Sequence, residues 1–139
     1  MEEELEFHEV QRDLNRADFF YTAMVMKNTW KWSITGREPF LMIVTDTDIY
    51  YGGNVKKPNK FFRIDLRKLE YARVVGRGMF KSIEIKFRNK GTSNIYICPF
   101  AISNSRIIAD KEELYKLRNV IHNSIESADN IESEKNMGV

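Results

Sequence analysis

Phe40-Leu41-Met42-Ile43-Val44-Thr45-Asp46-Thr47-Asp48-Ile49-Tyr50-Tyr51 is the stretch on which the reading of this chain turns. Its first five residues are apolar without a break, the pattern of a strand buried on both faces. Thr45 to Asp48 is a turn signal, because Asp and Thr side chains bond nearby backbone groups. Ile49-Tyr50-Tyr51 resumes a β-favouring pattern, and Gly52-Gly53-Asn54 ends it. Two strands joined by a tight polar turn are therefore the centre of a β-rich fold.

Outward from this hairpin, period-two alternation predicts further strands. From Ala23 to Ile34, Met24, Met26, Trp30, Trp32 and Ile34 fall on even positions, with Lys27, Thr29, Lys31 and Ser33 on odd ones. That alternation puts the even residues inside. A loop, Thr35–Pro39, leads into the hairpin. After it comes a basic loop, Gly52–Lys60, then strands at Phe62–Leu66, Leu69–Val75, Lys81–Arg88 and Asn94–Cys98, the last stopped by Pro99. Ile83, Ile85 and Phe87 face inward in the sixth strand.

Helical spacing marks both ends. Phe7, Val10, Leu14 and Ala17 share one face of a predicted helix over residues 2–17, with Glu2, Glu3, Glu4 and Glu6 at its positive end. Such a helix docks on the body or pairs with another copy. Asp110 and Glu113 form an acidic capping box before a stripe of Leu114, Leu117, Ile121 and Ile125, widened by Val120. The expected organisation is an N-terminal helix (1–20), a β-rich domain (21–128) and a disordered polar tail (129–139). Trp30, Trp32, Phe87 and Leu117 are expected in one core.

Composition narrows the class. With 139 residues, 42% hydrophobic and 30% charged, the chain suits one soluble domain with a real core. No apolar run approaches the ~18 residues of a membrane span. The acidic start is unlike a signal peptide, and the single cysteine, Cys98, favours a reducing compartment, so a cytoplasmic location is expected. Charge is uneven. Residues 1–18 hold seven acids and two bases, net −5; residues 19–108 sixteen bases and six acids, net +10; residues 109–139 four bases and seven acids, net −3. A basic body with acidic ends suits an anionic partner, or is a solvated basic surface with compensating tails.

Seven short strands followed by one amphipathic helix resemble the pleckstrin-homology (PH) superfold, and within it the GRAM and bacterial PH-like branch. Two motifs carry the finer resemblance. Val44-Thr45-Asp46-Thr47-Asp48-Ile49-Tyr50 matches that branch's apolar-Thr-turn pattern, with Asp48 where a basic residue is usual. Ile64-Asp65-Leu66-Arg67-Lys68-Leu69 matches its apolar-Pro-Leu pattern, with Asp65 in place of Pro. The resemblance covers about residues 21–127. It implies a seven-stranded partial barrel capped by the C-terminal helix. No Trp lies on that helix, which separates the chain from close relatives of the eukaryotic lipid-signalling domains.

Little in the sequence points to catalysis. His8 and His122 lie in different helices without partners at metal-ligand spacing, so each reads as a helix-surface residue. Cys98 reads as buried filler. Gly76-Arg77-Gly78 lacks nucleotide-loop context. No catalytic residue, metal or cofactor is expected. The resemblance places an anionic ligand between the Thr35–Pro39 and Gly52–Lys60 loops, where Lys31, Arg37, Lys56, Lys57 and Lys60 gather for charge-assisted bonds to phosphate or lipid headgroups. A basic residue, any residue, then Arg would complete the family's lipid motif; Glu38 and Pro39 follow Arg37 instead. Arg77, Met79, Phe80 and Lys81 are a second candidate, a loop tip for membrane or partner contact, unless Phe80 packs inward as the start of its strand. The leading expectation is a docking adaptor for a protein partner through a strand edge and a helix-flanking groove. Peripheral membrane targeting is the alternative. Nucleic acid is disfavoured, having the charge but no recognised motif. A homodimer through the N-terminal helix stays open.

Overall fold

A computed structural model describes residues 3–28, 39–53, 57–76 and 81–137. In chain order the elements are β1 (Glu3–Glu6), α1 (Phe7–Leu14), β2 (Phe20–Asn28), β3 (Pro39–Thr45), β4 (Asp48–Gly52), β5 (Lys60–Asp65), a 3-10 turn (Leu66–Lys68), β6 (Leu69–Val75), β7 (Ser82–Phe87), β8 (Ile95–Ser103), β9 (Arg106–Ala109) and α2 (Lys111–Met137). The expected seven strands correspond to β2–β8. Pairing follows the order β1-β5-β4-β3-β2-β8-β7-β6, with β9 branching from β8. Every strand pair among the described residues is antiparallel, in one bent sheet that α2 closes on its inner side.

The β3–β4 hairpin is buried on both faces, as its unbroken apolar run predicts. Phe40, Met42, Val44, Ile49 and Tyr51 belong to the main core with Leu114, Leu117, Ile121 and Ile125 of α2. Ile43 and Tyr50 point the other way, into a second cluster with Leu5, Val10 and Phe61. The turn between the strands is organised by Thr45 rather than by the aspartates. Its hydroxyl accepts from the N–H groups of Thr47 (3.2 Å) and Asp48 (3.0 Å) and donates to the Asp48 carbonyl at 3.1 Å. At the far end of β4 the chain passes very close to β5. A Cβ on Gly52 would lie 2.2 Å from the Lys60 carbonyl oxygen, so only glycine fits.

Three local expectations are corrected. The N-terminal segment is not helical from its start. Glu3–Glu6 forms β1 on the edge of β5, and the helix begins at Phe7. Leu5 is buried there and Glu3 faces Arg63, so tertiary pairing overrides the helical propensity of a glutamate run. The stripe of Val10 and Leu14 then packs on the outer face of the sheet, in cis. In β2 the core face is the odd one. Ala23 pairs with Met42 and Val25 with Phe40 in the main core, while on the even face Met24 is 47% exposed and Met26 is buried outside that cluster. Trp30 and Trp32 lie outside the described residues. Finally, β8 does not stop at Pro99 but continues to Ser103. Pro99 stands opposite Val25, and past it β8 leaves β2 for β9 through a two-residue turn, Asn104–Ser105, with φ of 50° and 63°.

α2 starts as expected. The Asp110 carboxylate accepts from the Glu113 N–H at 3.2 Å, half of a capping box, while the Glu113 carboxylate accepts from the Tyr21 hydroxyl. Burial, then that bond, pushes the Tyr21 hydroxyl up to about 12. The helix continues to Met137, through the segment expected to be a polar tail. Ala128 belongs to the core and Asp129 pairs with Arg88, which holds the helix to the sheet at that point.

Leu117 has no exposed surface and sits where α2 meets the main core. Leu117→Ala should therefore cost about 2–5 kcal/mol, from lost transfer energy and the cavity left behind. Urea denaturation measures it, and a loss under half a kcal/mol would mean that α2 is peripheral.

Candidate functional site

Of the sequence-predicted ligand residues, Lys57, Lys60 and Lys81 lie within the described residues; Lys31, Arg37, Lys56, Arg77, Met79 and Phe80 lie outside them. Lys57 and Lys60 are held together at the start of β5, where the Lys60 N–H donates to the Lys57 carbonyl at 3.2 Å. They do not stand in a purely basic field. Lys60 Nζ is 3.1 Å from Glu4 of β1 and 5.6 Å from the centre of the Phe62 ring. A cleft of about 520 Å³ beside them is lined by Glu4, Glu6 and Glu9 as well as the two lysines. Lys81 turns toward α2, where Nζ is 3.1 Å from the Tyr115 hydroxyl.

Sheet edges are where the backbone can meet a partner. At one end of the pairing order, β1 covers β5. Glu3 pairs with Arg63 and Glu4 with Lys60. Arg63 is also anchored from behind, its Nη1 donating to Asp13 of α1 at 3.1 Å, and the Tyr50 hydroxyl donates to the same carboxylate at 2.9 Å. Burial, then that bond, raises the Tyr50 hydroxyl above its ordinary value. Burial likewise raises Asp48, against the hydroxyl bond from Thr47. This polar cluster ties the N-terminal segment to the hairpin.

The opposite end is β6, which pairs with β7 and ends the sheet among the described residues. The alternation of an antiparallel ladder turns every second residue's N–H and C=O outward. Ala72 is one such residue. Its carbonyl accepts from Arg118 Nε of α2 at 3.0 Å, so the helix runs alongside this edge. Tyr115, Arg118 and His122 fall at i, i+3 and i+7 on α2, one stripe of the helix. His122 is more enclosed than its expected place on the helix surface. Its Nε2 lies 3.0 Å from Glu126, and Nδ1 is buried without a partner among the described residues.

On the outer face beside this edge, Glu84 is 4% exposed. It accepts from Tyr96 (2.8 Å), Tyr71 (3.1 Å) and Arg73 Nε (2.8 Å). Arg73 stacks on Tyr71, 5.0 Å from the ring centre. Lys86 approaches the same ring and lies 3.6 Å from Glu70. Alternation with the inward-facing Ile83 and Ile85 predicts only that Glu84 faces outward. Two tyrosines and an arginine converging on one glutamate across three strands were the missed signal, visible only once strand register is known. Burial alone would raise the Glu84 carboxyl, but the three donors hold it below its ordinary value.

Comparison with solved structures identifies the architecture. The chain is similar to a Vps36 N-terminal PH domain, at 15% identity and a TM-score of 0.55, over 96% of this chain and 83% of that one. It is also similar to the hSac2 domain from human phosphoinositide phosphatase Sac2, at 11% identity and a TM-score of 0.53, over 88% and 85%. No family model and no curated protein matches the sequence. The fold is PH-like: a mainly β partial barrel with a C-terminal helix and an added N-terminal helix.

The Glu84 cluster predicts a pH dependence. A carboxyl held below its unfolded value stabilises the fold above that value, and the contribution is lost as pH falls through the folded value. Glu84→Gln should cost about 1–3 kcal/mol near neutral pH. The gap to the wild type should close as pH falls below the ordinary carboxylate range. Denaturation midpoints against pH test this; a gap that stays constant would mean the charge of Glu84 is irrelevant.

Proposed function

We propose that the chain is a non-catalytic docking module that takes an extended segment of a protein partner as an added strand on β6, beside α2. The observation that carries this reading is the asymmetry of the sheet. At one end the edge of β5 is covered by the chain's own β1, so the sheet ends there in a four-residue, glutamate-rich strand, whereas at the other end β6 ends the sheet among the described residues with α2 alongside. Main-chain bonds to such an edge supply affinity, and side chains on either face supply specificity. Arg118 shields the Ala72 carbonyl, which suits an edge kept from indiscriminate pairing and opened by a proper partner.

Val74 is two residues beyond Ala72, so its N–H also points away from β7 and a proline there spares the β6–β7 ladder. Peptides selected from a displayed random library should perturb the amide resonances of β6 and of Arg118. Val74→Pro should abolish their binding at an unchanged circular-dichroism spectrum. Equal binding by the proline variant, or shifts confined to another face, would retire the edge.

The second reading is peripheral attachment to an anionic membrane through Lys31, Arg37, Lys56, Lys57 and Lys60, with Arg77, Met79, Phe80 and Lys81 as loop-tip contacts. The side-by-side position of Lys57 and Lys60 favours it. Lys56→Glu with Lys57→Glu should then weaken co-sedimentation with phosphatidylserine vesicles and flatten its salt dependence, since exposed charges act over about 8 Å at physiological salt. Equal sedimentation of both proteins at every salt concentration would leave the β6 edge as the working site.

A further inference from the structure

We infer that the strand accepted by β6 is acidic, and that Arg73 reads an anionic side chain on its outer face. This rests on the β6-edge reading and names the chemistry of that partner. The argument is a parallel between the two ends of the sheet. At the β5 end, Arg63 lies on the outer face, anchored through Nη1 by Asp13, and gives Nη2 to Glu3 of the added strand β1. At the β6 end, Arg73 lies on the outer face, anchored through Nε by buried Glu84 and stacked on Tyr71. Its side chain is 58% exposed, and its two terminal nitrogens have no partner among the described residues.

An arginine fixed in this way has already lost much of its rotamer freedom, and its remaining N–H groups form the fork that carboxylates and phosphates fit. Glu84 offsets part of the charge of Arg73, but it is buried beneath three donors while the Arg73 side chain is mostly exposed, so a newcomer meets the guanidinium first. Lys86 adds a second cation, bound to Glu70 only by an exposed pair that an incoming anion can replace. The acidic sequence of β1, Glu-Glu-Leu-Glu, is the chain's own example of a strand suited to a cationic edge. A carboxylate and a phosphorylated side chain present the same chemistry to Arg73.

The test uses the full chain and the displayed random library. Wild-type protein should enrich peptides with an acidic residue at one fixed position, and Arg73→Gln should lose that enrichment while retaining neutral binders. One selected peptide, synthesised with Glu, Gln or phosphoserine at that position, should lose about ten- to hundredfold in affinity with Gln on wild-type protein. The loss should vanish on Arg73→Gln. Arg73→Lys, which keeps the charge but not the fork, should recover part of the preference, and a thermal melt of each variant excludes unfolding. Tighter binding of phosphoserine than Glu would assign a phosphorylated partner, and the reverse a carboxylate. Peptides that map to β6 without acidic preference, or with a preference unchanged by Arg73→Gln, would overturn this inference and leave edge docking intact. Peptides that map elsewhere would overturn both.

Discussion

The hairpin Phe40–Tyr51 is buried from both sides, and the rest of the molecule answers that constraint. A strand pair in a bent sheet has two faces, and alternation sends Met42 and Val44 to one and Ile43 to the other. Both faces here are apolar, so each needs a cover. α2 covers the inner face with Leu114, Leu117, Ile121 and Ile125. β1 and α1 cover the outer one with Leu5 and Val10. Neither helix is optional on this view. Removing α1 would expose Ile43 and the ring of Tyr50, and at about 25 cal/mol per Å² of apolar surface even one such side chain is a large part of a domain's stability.

The two covers are attached differently. α2 is held mainly by apolar contact, fixed near its start by the Tyr21 hydroxyl on Glu113 and the Asp110 N–H on the Pro99 carbonyl, and at Asp129 by Arg88. The N-terminal cover has a small apolar contact and a larger polar one: Asp13 receives Tyr50 and Arg63, Arg63 pairs with Glu3, and Lys60 pairs with Glu4. Paired charges in partly buried surroundings are directional. They fix the register of β1 on β5 more firmly than Leu5 alone would, because a one-residue slip would carry Glu3 away from Arg63 and turn Leu5 to solvent.

What the sequence made legible follows from which forces are local. The apolar run at Phe40–Val44, the stripe on α2 and the alternation of Ile83, Ile85 and Phe87 are set by burial on a regular period, and they read correctly. β1 did not, because Glu-Glu-Leu-Glu has good helical propensity and becomes a strand through the burial of Leu5 and through cations 56 to 60 residues away, on β5. The wrong face of β2 has the same origin. Met24 is as apolar as Ala23 and Val25, and only pairing with β3 decides which side meets the main core; Met26, on the same side as Met24, is buried all the same. Pro99 looked like a terminator because it lacks an N–H, but it stands where β8 is leaving β2, where a missing donor costs least. Of the candidate ligand residues, clustering of lysines in sequence was visible. That Lys60 is already matched by Glu4 was not, since it depends on the same long-range strand.

Long-range strand pairing is the common thread of these misses, and where that pairing stops, at the sheet edges, a partner can add. A mainly β sheet that does not close must leave backbone groups at its ends, and exposed edges invite unwanted pairing. This chain treats its two ends unequally. On β5 it lays down a strand of its own with charges in register. On β6 it sets one arginine, Arg118, against one carbonyl, and leaves a second, Arg73, anchored behind the outer face. The edge left beyond β5 is that of β1, a four-residue strand whose glutamates discourage pairing, whereas β6 offers seven residues. A lightly guarded edge next to a preset cation is better suited to selective pairing than to none, and that difference between the two ends is the physical ground for reading β6 as the docking strand.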